Sequence, residues 1–297
     1  MKIPGSQKKY FSLLVSAGLW LMNFGGLADE PQVEKDKTIY SLFSPTPKEI
    51  MRELNTDRPD KTESPYTVDA GHFQVEMDLV NYAYDRYNSS HANIRSENFS
   101  FATANLKAGL CNNVDFQLVV PTYNTARTHD RSAGLVQNNS GFGDLVARTK
   151  VNLWGNDGGA TAFGVMPFAK FPTSQNDLGN NAFEGGIIFP LAVELPLNWG
   201  MGVMTEFDFN KNESDSGHHA EFINSITFSH KLFGGLDGYA EFFSSVSAES
   251  GADWIGTADV GLVYALTKNI QLDAGINFGI TRAADDYNPF AGISIRF

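Results

Sequence analysis

From residue 72 to the end of the chain, apolar side chains alternate with small or polar ones in stretches of roughly 10–14 residues that break at Gly, Asn or Asp. Because successive side chains of a β-strand point to opposite faces, this alternation predicts strands with one apolar and one polar face. No segment with helical periodicity follows that could cover the apolar faces. The pattern therefore favours an all-β fold, a transmembrane antiparallel up-and-down β-barrel whose apolar face meets lipid.

About twelve strands are expected from this pattern, with boundaries uncertain by a few residues. They fall near 72–84, 98–110, 113–122, 142–154, 159–171, 183–195, 199–210, 218–230, 236–247, 254–266, 269–281 and 287–297. In a membrane barrel the polar face lines the lumen, so the charged residues of that face are candidates for tuning transport. These lumen candidates are Glu76, Asp78, Arg148, Lys150, Glu206, Asp208, Glu221, Glu241, Asp273 and Arg296.

The connections between the strands alternate in length. Residues 85–97, 123–141 and 172–182 make long connections, whereas tight turns are expected near 111–112, 155–158 and 196–198. Outer-membrane barrels have long extracellular loops and short periplasmic turns, so both chain termini are expected in the periplasm. The final Phe297 is the terminal aromatic of the last strand. We further hypothesise that the long loop around 123–141 narrows the outer mouth.

Two features of the strands are irregular. Pro167 and Pro190 lie inside predicted strands, where a missing N–H predicts a bulge or an early strand end. Phe99 and Phe101 share the parity of Asn105 and Lys107, which leaves the facing of this strand open: if both rings point into the lumen, they form an apolar constriction near the outer mouth.

Residues 1–28 have the layout of a secretory signal peptide. Lys2, Lys8 and Lys9 precede an apolar stretch, and Gly26-Leu27-Ala28 offers small residues for cleavage. The alternative, a retained membrane anchor, needs about 20 apolar residues, and polar and glycine residues interrupt this stretch. We therefore expect export to the outer membrane of a Gram-negative-type envelope, with membrane lipid and the barrel-assembly machinery as partners.

Residues 29–70 form a different segment that precedes the barrel of residues 71–297. The run Thr46-Pro47-Lys48-Glu49 resembles a capped helix start and predicts a short helix from Pro47 to about Leu54. After it, residues 56–65 are rich in charge and proline, which suits neither a helix nor a central strand. Two interpretations remain open: an exposed periplasmic linker, or a segment that covers or enters the periplasmic mouth of the barrel.

The same segment carries a motif that resembles a known family. The motif residues are Asp57, Arg58, Pro59, Asp60, Glu63, Ser64, Pro65, Gly71 and Phe73. In this order they resemble the opening of a family of bacterial outer-membrane transporter proteins named for the MetA (meta-cleavage) pathway of phenol degradation. The resemblance implies an outer-membrane barrel with a transport role, and its name suggests aromatic or hydrophobic compounds. It implies no catalytic residue.

Charge narrows the partners. The chain has 22 Lys and Arg against 34 Asp and Glu, a net charge of −12. This acidic balance argues against nucleic acid as a partner. Acids also outnumber bases on the predicted lumen face, and two outcomes are open. The lumen is either closed by salt bridges, or a narrow wet pore that favours cations or neutral polar solutes.

Little in the sequence indicates an enzyme or a cofactor site. Ser89-x-His91 and Ser216-x-His218 have same-face spacing but lie in predicted loops, and a hydrolase also needs a group that orients the histidine. The pair His218-His219 suggests a solvated loop rather than a metal site, because consecutive residues rarely chelate one ion. We expect no catalytic, metal or cofactor site.

The function expected from the sequence is a porin-like channel for passive movement of small-molecule solutes. One alternative is a non-transporting barrel that acts as a scaffold or surface interaction protein. A second, less favoured alternative is a membrane-embedded lipid hydrolase.

Overall fold

The computed structural model describes residues 36–86, 93–212 and 215–297. The predicted signal peptide therefore lies outside the described residues. One 14-stranded antiparallel sheet dominates the described chain. Its strands are β1 (Phe73–Asp85), β2 (Ile94–Cys111), β3 (Val114–Val120), β4 (Tyr123–Asp130), β5 (Leu135–Gly141), β6 (Leu145–Trp154), β7 (Thr161–Phe171), β8 (Glu184–Leu195), β9 (Trp199–Lys211), β10 (His218–Phe233), β11 (Leu236–Ser247), β12 (Ile255–Thr267), β13 (Ile270–Gly279) and β14 (Tyr287–Arg296).

Twelve of these strands close into a barrel. Each pairs with its neighbour in chain order, and β1 pairs with both β2 and β14, so the sheet has no free edge at this seam. The last strand aligns Met77 with Ile293 and Gln74 with Arg296 across the seam. The twelve-stranded antiparallel barrel expected from the alternation is confirmed.

The remaining strands, β4 and β5, form a hairpin above the barrel. β4 pairs with residues 94–101 of β2, beyond the part of β2 that pairs with β3. β5 pairs only with β4. The long connection predicted over 123–141 is present between the barrel strands β3 and β6, but it contains this hairpin, and its narrowing of the outer mouth stays a prediction. The chain continues as an extended hairpin because β2 is 18 residues long and offers a pairing edge above the membrane-spanning part.

The two faces of the barrel differ as the alternation predicts. Large apolar side chains are exposed on the outside, for example Phe73, Phe116, Leu262 and Phe297. The buried polar and charged side chains, for example Gln117, lie inside. This inverts a soluble barrel, and hydrocarbon is the solvent that suits the outer face.

Connection lengths fix the orientation. At the end where β1 begins and β14 ends, adjacent strands are joined across 112–113, 234–235 and 268–269. At the other end the connections span 121–144, 172–183 and 280–286. Short turns and both strand termini mark the periplasmic end, and the longer connections mark the extracellular end.

Prolines in the wall do not cause bulges. Pro167 stays in register with Ile187 of β8, and Pro190 stays in register with Met204 of β9. Each proline instead sits where the pairing with its other neighbouring strand is interrupted, without a register shift. The predicted bulges or early ends are wrong, because an antiparallel residue directs its N–H to one neighbour only.

The rings of Phe99 and Phe101 lie on the outer face, not in the lumen. Ala102 has a φ of 52° and is skipped in the pairing of β1 with β2, which reverses the parity of the residues before it. Phe99 packs 4.3 Å from the ring of Tyr82, and Phe101 packs 6.4 Å from Tyr123. The alternative in which these rings form a constriction therefore does not hold, and they belong to an aromatic belt near the outer interface.

The segment before β1 contains almost no regular structure. The helix predicted over Pro47–Leu54 is reduced to a 3-10 turn at Lys48–Ile50, because Pro47 is extended with a ψ of 140° and no side chain caps the turn. Met51 is already extended. Within the described residues, no helix has the length and apolar character to cross a bilayer.

Candidate functional site

The candidate site is the barrel lumen, which contains the N-terminal segment of residues 36–72, called here the lumen segment. It begins at the periplasmic end, where the Leu42 N–H donates to the Leu110 carbonyl at 2.8 Å. It rises to the level of Thr62, whose N–H donates to Glu241 of β11 at 2.8 Å. It then descends to His72 at the start of β1.

One side of the lumen wall is basic and receives acids of the segment. Lys107 of β2 and Lys150 of β6 both form ion pairs with Asp57, and all three side chains are buried. Arg148, one step higher on β6, pairs with Glu63 at 2.6 Å. The wall's own Glu76 pairs with Lys107 as well. The segment thus adds acids to a group of buried cations, of which Lys107 also has an acidic partner in the wall.

A second part of the wall, made by β1, β12 and β13, is acidic and receives bases of the segment. Arg58 contacts Asp78 of β1 at 2.5 Å and binds Asp273 of β13 through Nη2 at 2.6 Å and Nε at 3.2 Å. Lys61 donates to Asp259 of β12 at 3.0 Å. The forked contact with Asp273 uses the geometry for which a guanidinium is suited.

The adjacent, oppositely charged residues of the run Asp57-Arg58-Pro59-Asp60 therefore form ion pairs with two different parts of the barrel wall. The acid contacts the basic side made by β2 and β6, and the adjacent base contacts the acidic side made by β1 and β13. Burial works against ionisation of Asp57, but the Lys107 and Lys150 ammonium groups hold its pKa below the ordinary range. This clustering of charge is what the sequence could not show, because each partner lies far along the chain.

Asp60 is the exception within the motif. Burial, with the nearby carboxylates of Glu63 and Asp57, raises its pKa from 3.8 to about 7. Among the ion pairs of the described residues none involves Asp60, in contrast to Asp57. The tip of the segment thus carries a carboxyl group that titrates near neutral pH.

The remaining motif residues shape the segment. The Ser64 N–H donates to Asp57 at 3.1 Å, and the Pro65 carbonyl accepts from Asn152 of β6 at 2.9 Å. Gly71 has a φ of +75°, and a Cβ there would lie 2.6 Å from the Pro45 Cα. Pro59 follows Arg58 through a cis peptide bond, and Phe73 lies on the lipid face, 51% exposed.

A network at the periplasmic end holds the base of the segment. Arg52 pairs with Asp69 at 3.3 Å and with Asp157 of the β6–β7 turn at 3.1 Å. His72 bridges the Thr46 carbonyl at 2.7 Å and the carbonyl of Phe297 at 2.9 Å. The segment is therefore bonded to the last residue of the chain.

The predicted lumen candidates are distributed over two levels. Glu76, Asp78, Arg148, Lys150, Glu241 and Asp273 contact the lumen segment or its partners, and the Arg296 Nη1 donates to the Arg52 carbonyl at 2.8 Å. Glu206, Asp208 and Glu221 lie higher, on β9 and β10, where Asn210 donates to Glu221 at 2.7 Å. Their roles in transport stay a prediction.

An apolar patch of the lumen wall is absent from the sequence prediction. Met166, Ile188 and Met204 of β7, β8 and β9 form a buried cluster, with Phe168 and Ile223 packed against it. The Met204 sulfur accepts the Glu63 N–H at 3.4 Å, so the cluster touches the lumen segment. Its signal in the sequence is that Met204 shares the parity of Glu206 and therefore points inward.

Two cavities remain beside the segment. A cavity of about 860 Å³ at the periplasmic end lies between residues 48–54 and the wall of β10–β14. A second cavity of about 360 Å³ lies at the extracellular end, between Lys61 and the wall of β11–β14, under residues 283–285. The extracellular cavity adjoins the acidic side of the lumen, whereas the lining of the periplasmic cavity has five bases and three acids.

The histidines considered for hydrolysis have other surroundings. His218 Nε2 lies 3.3 Å from the Phe183 carbonyl, and His219 Nδ1 lies 3.0 Å from Asn212. His230 packs 4.6 Å from the ring of Trp199. Ser89 and His91 lie outside the described residues.

Comparison with known proteins places this architecture. Residues 56–297 match the family described as "Putative MetA-pathway of phenol degradation". The chain belongs to this family. The match begins at the segment that carries the charged motif, so the MetA-pathway family includes the lumen segment's tip as well as the barrel. No curated protein matches the chain.

Three solved structures are similar to this MetA-pathway family member, and the first of them shares its fold. An outer-membrane channel of Pseudomonas putida F1 superposes with a TM-score of 0.58 and 13% identity, covering 82% of this chain and 100% of its own. The beta domain of the Bordetella autotransporter BrkA gives a TM-score of 0.48 at 13% identity, covering 76% of this chain and 99% of its own. The NanC porin gives 0.45 at 9% identity, covering 75% and 98%. The fold and the lipid-facing belt identify the chain as an outer-membrane β-barrel.

Proposed function

We propose that the protein is a passive outer-membrane channel for small molecules, in which the lumen segment is a permanent part of the pore lining. The observation that carries the proposal is the position of the two cavities. Both lie between the segment and the wall made by β11–β14, one at each end of the lumen. A route along this wall would connect the extracellular and periplasmic mouths without removal of the segment.

A short barrier separates the cavities. Tyr239 of β11 is buried at this level, and its ring approaches Gly261 and Gly275 of the next two strands, where a Cβ would lie 2.4 and 2.8 Å from Tyr239 atoms. Arg58 closes the neighbouring space by its contacts with Asp273. Passage would need small movements of these side chains, which suits slow flow of small solutes.

The charges around Arg58 and the tip of the segment favour cations or neutral solutes over anions. This part of the route has more carboxylates than bases, namely Asp60, Asp78, Glu241, Asp259 and Asp273 against Arg58 and Lys61, whereas the periplasmic cavity is lined by five bases and three acids. Rings of acidic side chains give cation preference in narrow pores. The family description adds aromatic compounds as candidate solutes, and this substrate class is part of the proposal.

The test is single-channel recording of the purified, full-length protein in planar bilayers. We expect small, cation-preferring conductance. Ala265→Trp, which places a ring in the periplasmic cavity, should reduce the conductance, whereas Ala291→Trp on the lipid face of β14 should leave it unchanged.

A second conductance test uses a variant from which residues 36–65 are deleted. The deletion should raise the conductance several-fold, because it removes the material that fills the lumen. If neither the intact protein nor the deletion variant carries current, the channel proposal is rejected. That result would favour the alternative of a non-transporting scaffold, with which a filled lumen is also consistent. The proposed function involves no catalytic step.

A further inference from the structure

We infer that the extracellular cavity is a binding site for a neutral molecule that combines one apolar face with a hydroxyl group. This inference rests on the proposed channel function and names the class of solute that pauses at its outer mouth. The cavity measures about 360 Å³, which is at the small end of the range of small-molecule sites. It has room for a single ring with one polar substituent.

The floor of the cavity is the tip of the lumen segment. The Lys61 ammonium donates to Thr257 at 2.7 Å and to Asp259 at 3.0 Å, and it lies 4.6 Å from the centre of the Phe243 ring. Within the described part of the chain these are its two acceptors. An ammonium has three N–H donors, so one remains for a solute.

The roof is the β13–β14 connection, which folds inward over the mouth. The Thr281 hydroxyl accepts the Gly256 N–H at 3.0 Å, and the Ile280 N–H donates to the Gly256 carbonyl at 2.9 Å. Ala284 is buried by this fold, and Asp285 beside it exposes its carboxylate to the cavity mouth. The roof therefore supplies an apolar surface with an acceptor at its rim.

The side wall has the same mixed character. Ile255 and Phe243 contribute apolar surface, and Asn277 and Asn288 contribute amides, with the Asn277 Nδ2 donating to Asn288 at 3.0 Å. A hydroxyl can accept from Lys61 and donate to a carboxylate or an amide oxygen, while the rest of the molecule contacts the apolar surface. Sites of this kind are mostly apolar, with a few polar groups that orient the ligand.

Charge excludes the two ionic alternatives. An anion would approach the carboxylates of Asp259 and Asp285, and Lys61, the one base among the residues that line the cavity, already pairs with Asp259. A cation would compete with Lys61 for the face of the Phe243 ring and for Asp259. A neutral hydroxyl-bearing molecule meets neither conflict, so the preference is neutral over either charged form.

The test compares three probes that share one ring and differ in charge: benzyl alcohol, benzylamine and benzoate. Their binding to the purified full-length protein in detergent is measured at pH 7 by saturation-transfer NMR titration. We expect saturable binding of benzyl alcohol, and binding of benzoate and of benzylamine at least about tenfold weaker, the factor that corresponds to one net hydrogen bond. Equal binding of the three probes, or tighter binding of a charged one, would overturn the inference.

Variants locate the binding. Lys61→Met removes the donor and should weaken benzyl alcohol binding about tenfold, whereas Arg127→Met, on the exposed hairpin strand β4, should not change it. Because loss of Lys61 also leaves Asp259 unpaired, a second variant keeps every ion pair. Ala283→Phe fills the cavity and should abolish binding, and Ala133→Phe at the hairpin tip is its control.

The binding-site inference and the channel proposal can be rejected independently of each other. Binding is measured in detergent without any flow, and conductance is measured without the probes. Conductance without saturable benzyl alcohol binding rejects the site and leaves the channel. Binding that Ala283→Phe abolishes, in a protein that carries no current, retains the site and rejects the channel.

Discussion

Gly292 of β14 lies directly beneath the guanidinium of Arg58. A Cβ at position 292 would come within 2.1 Å of Arg58 Nη2 and 2.5 Å of its Cζ, so the absence of a side chain in the wall makes room for the segment's main cation. The same guanidinium binds Asp273 of the neighbouring strand β13. Wall and segment are thus fitted to each other at this point.

We predict that Gly292→Ala displaces Arg58 and loosens the lumen segment while the barrel stays folded. The new methyl group occupies the position of the guanidinium, and Asp273 loses its partner. Hydrogen exchange of the Asp57 and Thr62 amides, both bonded to wall carboxylates, should accelerate by at least about tenfold if roughly 1.4 kcal/mol is lost. Gly238→Ala, which meets only the flexible Leu232 and Leu262 side chains, is the control and should leave the exchange unchanged.

A second prediction concerns the pair of Arg58 and Asp273. Arg58→Ala leaves the Asp273 side chain, which is 0% exposed, without its cation, and should weaken seating of the segment by about 3–5 kcal/mol. The double variant with Asp273→Ala should lose less than the sum of the two single variants, with a coupling of about 0.5–3 kcal/mol. Amide exchange of the segment gives these free energies. Additive losses would show that the pair makes no specific contribution.

Seating of the segment should weaken as the pH rises through neutrality. Burial and the carboxylates of Glu63 and Asp57 raise the pKa of Asp60 to about 7 in the folded protein, against 3.8 ordinarily. Because the pKa of Asp60 is higher in the folded protein than its ordinary value, the contribution of Asp60 to docking of the segment is fully present below the ordinary pKa. This contribution is lost as the pH rises through the folded-state pKa. Asp57 has a lowered pKa, so its own contribution is lost only in strong acid and does not affect this window.

The measurement is segment amide exchange between pH 5 and pH 8, corrected for the intrinsic rate. Asp60→Asn should remove most of the pH dependence, and Asp36→Asn at the exposed start of the described chain should keep it. A pH dependence that survives Asp60→Asn would assign the effect to other carboxyl groups of the lumen.

The hairpin of β4 and β5 should have little influence on conductance. It continues the wall by pairing with β2 and was expected from the sequence to be a loop that narrows the mouth. Replacing residues 123–141 by a short glycine-containing turn should therefore leave the single-channel conductance within experimental error and the barrel folded. A clear increase would restore the hypothesis that this connection restricts the outer mouth.

The barrel could be predicted from the sequence because its rules are local. Strand positions follow from alternation with period two, and the alternation of long and short connections orients them. Phe99 and Phe101 show where this fails: one residue, Ala102, adopts a positive φ and reverses the parity without any glycine or proline to signal it. Met166 and Met204 show a second failure. An apolar residue at an inward position does not change which residues share a face, so the strand is still predicted correctly while the apolar patch of the lumen is missed.

The lumen segment was only partly predictable, for a different reason. Its charges identified it as unusual, but the partners of Arg58 are 20 and 215 residues away along the chain. No local pattern encodes which base meets which acid at such a separation. The sequence therefore left the linker and the mouth-covering interpretations open, and only the three-dimensional structure identifies the ion pairs with Asp78 and Asp273.

The course of the lumen segment bears on how the molecule is assembled. The segment goes up and comes back down, with Leu42 near Leu110 at one foot and His72 beside Phe297 at the other, so both feet stand at the same rim. Such a loop can enter a closed barrel from the periplasmic side, and no chain terminus has to pass through the lumen. This course allows the strands to insert first and the loop to dock afterwards, as two separate steps.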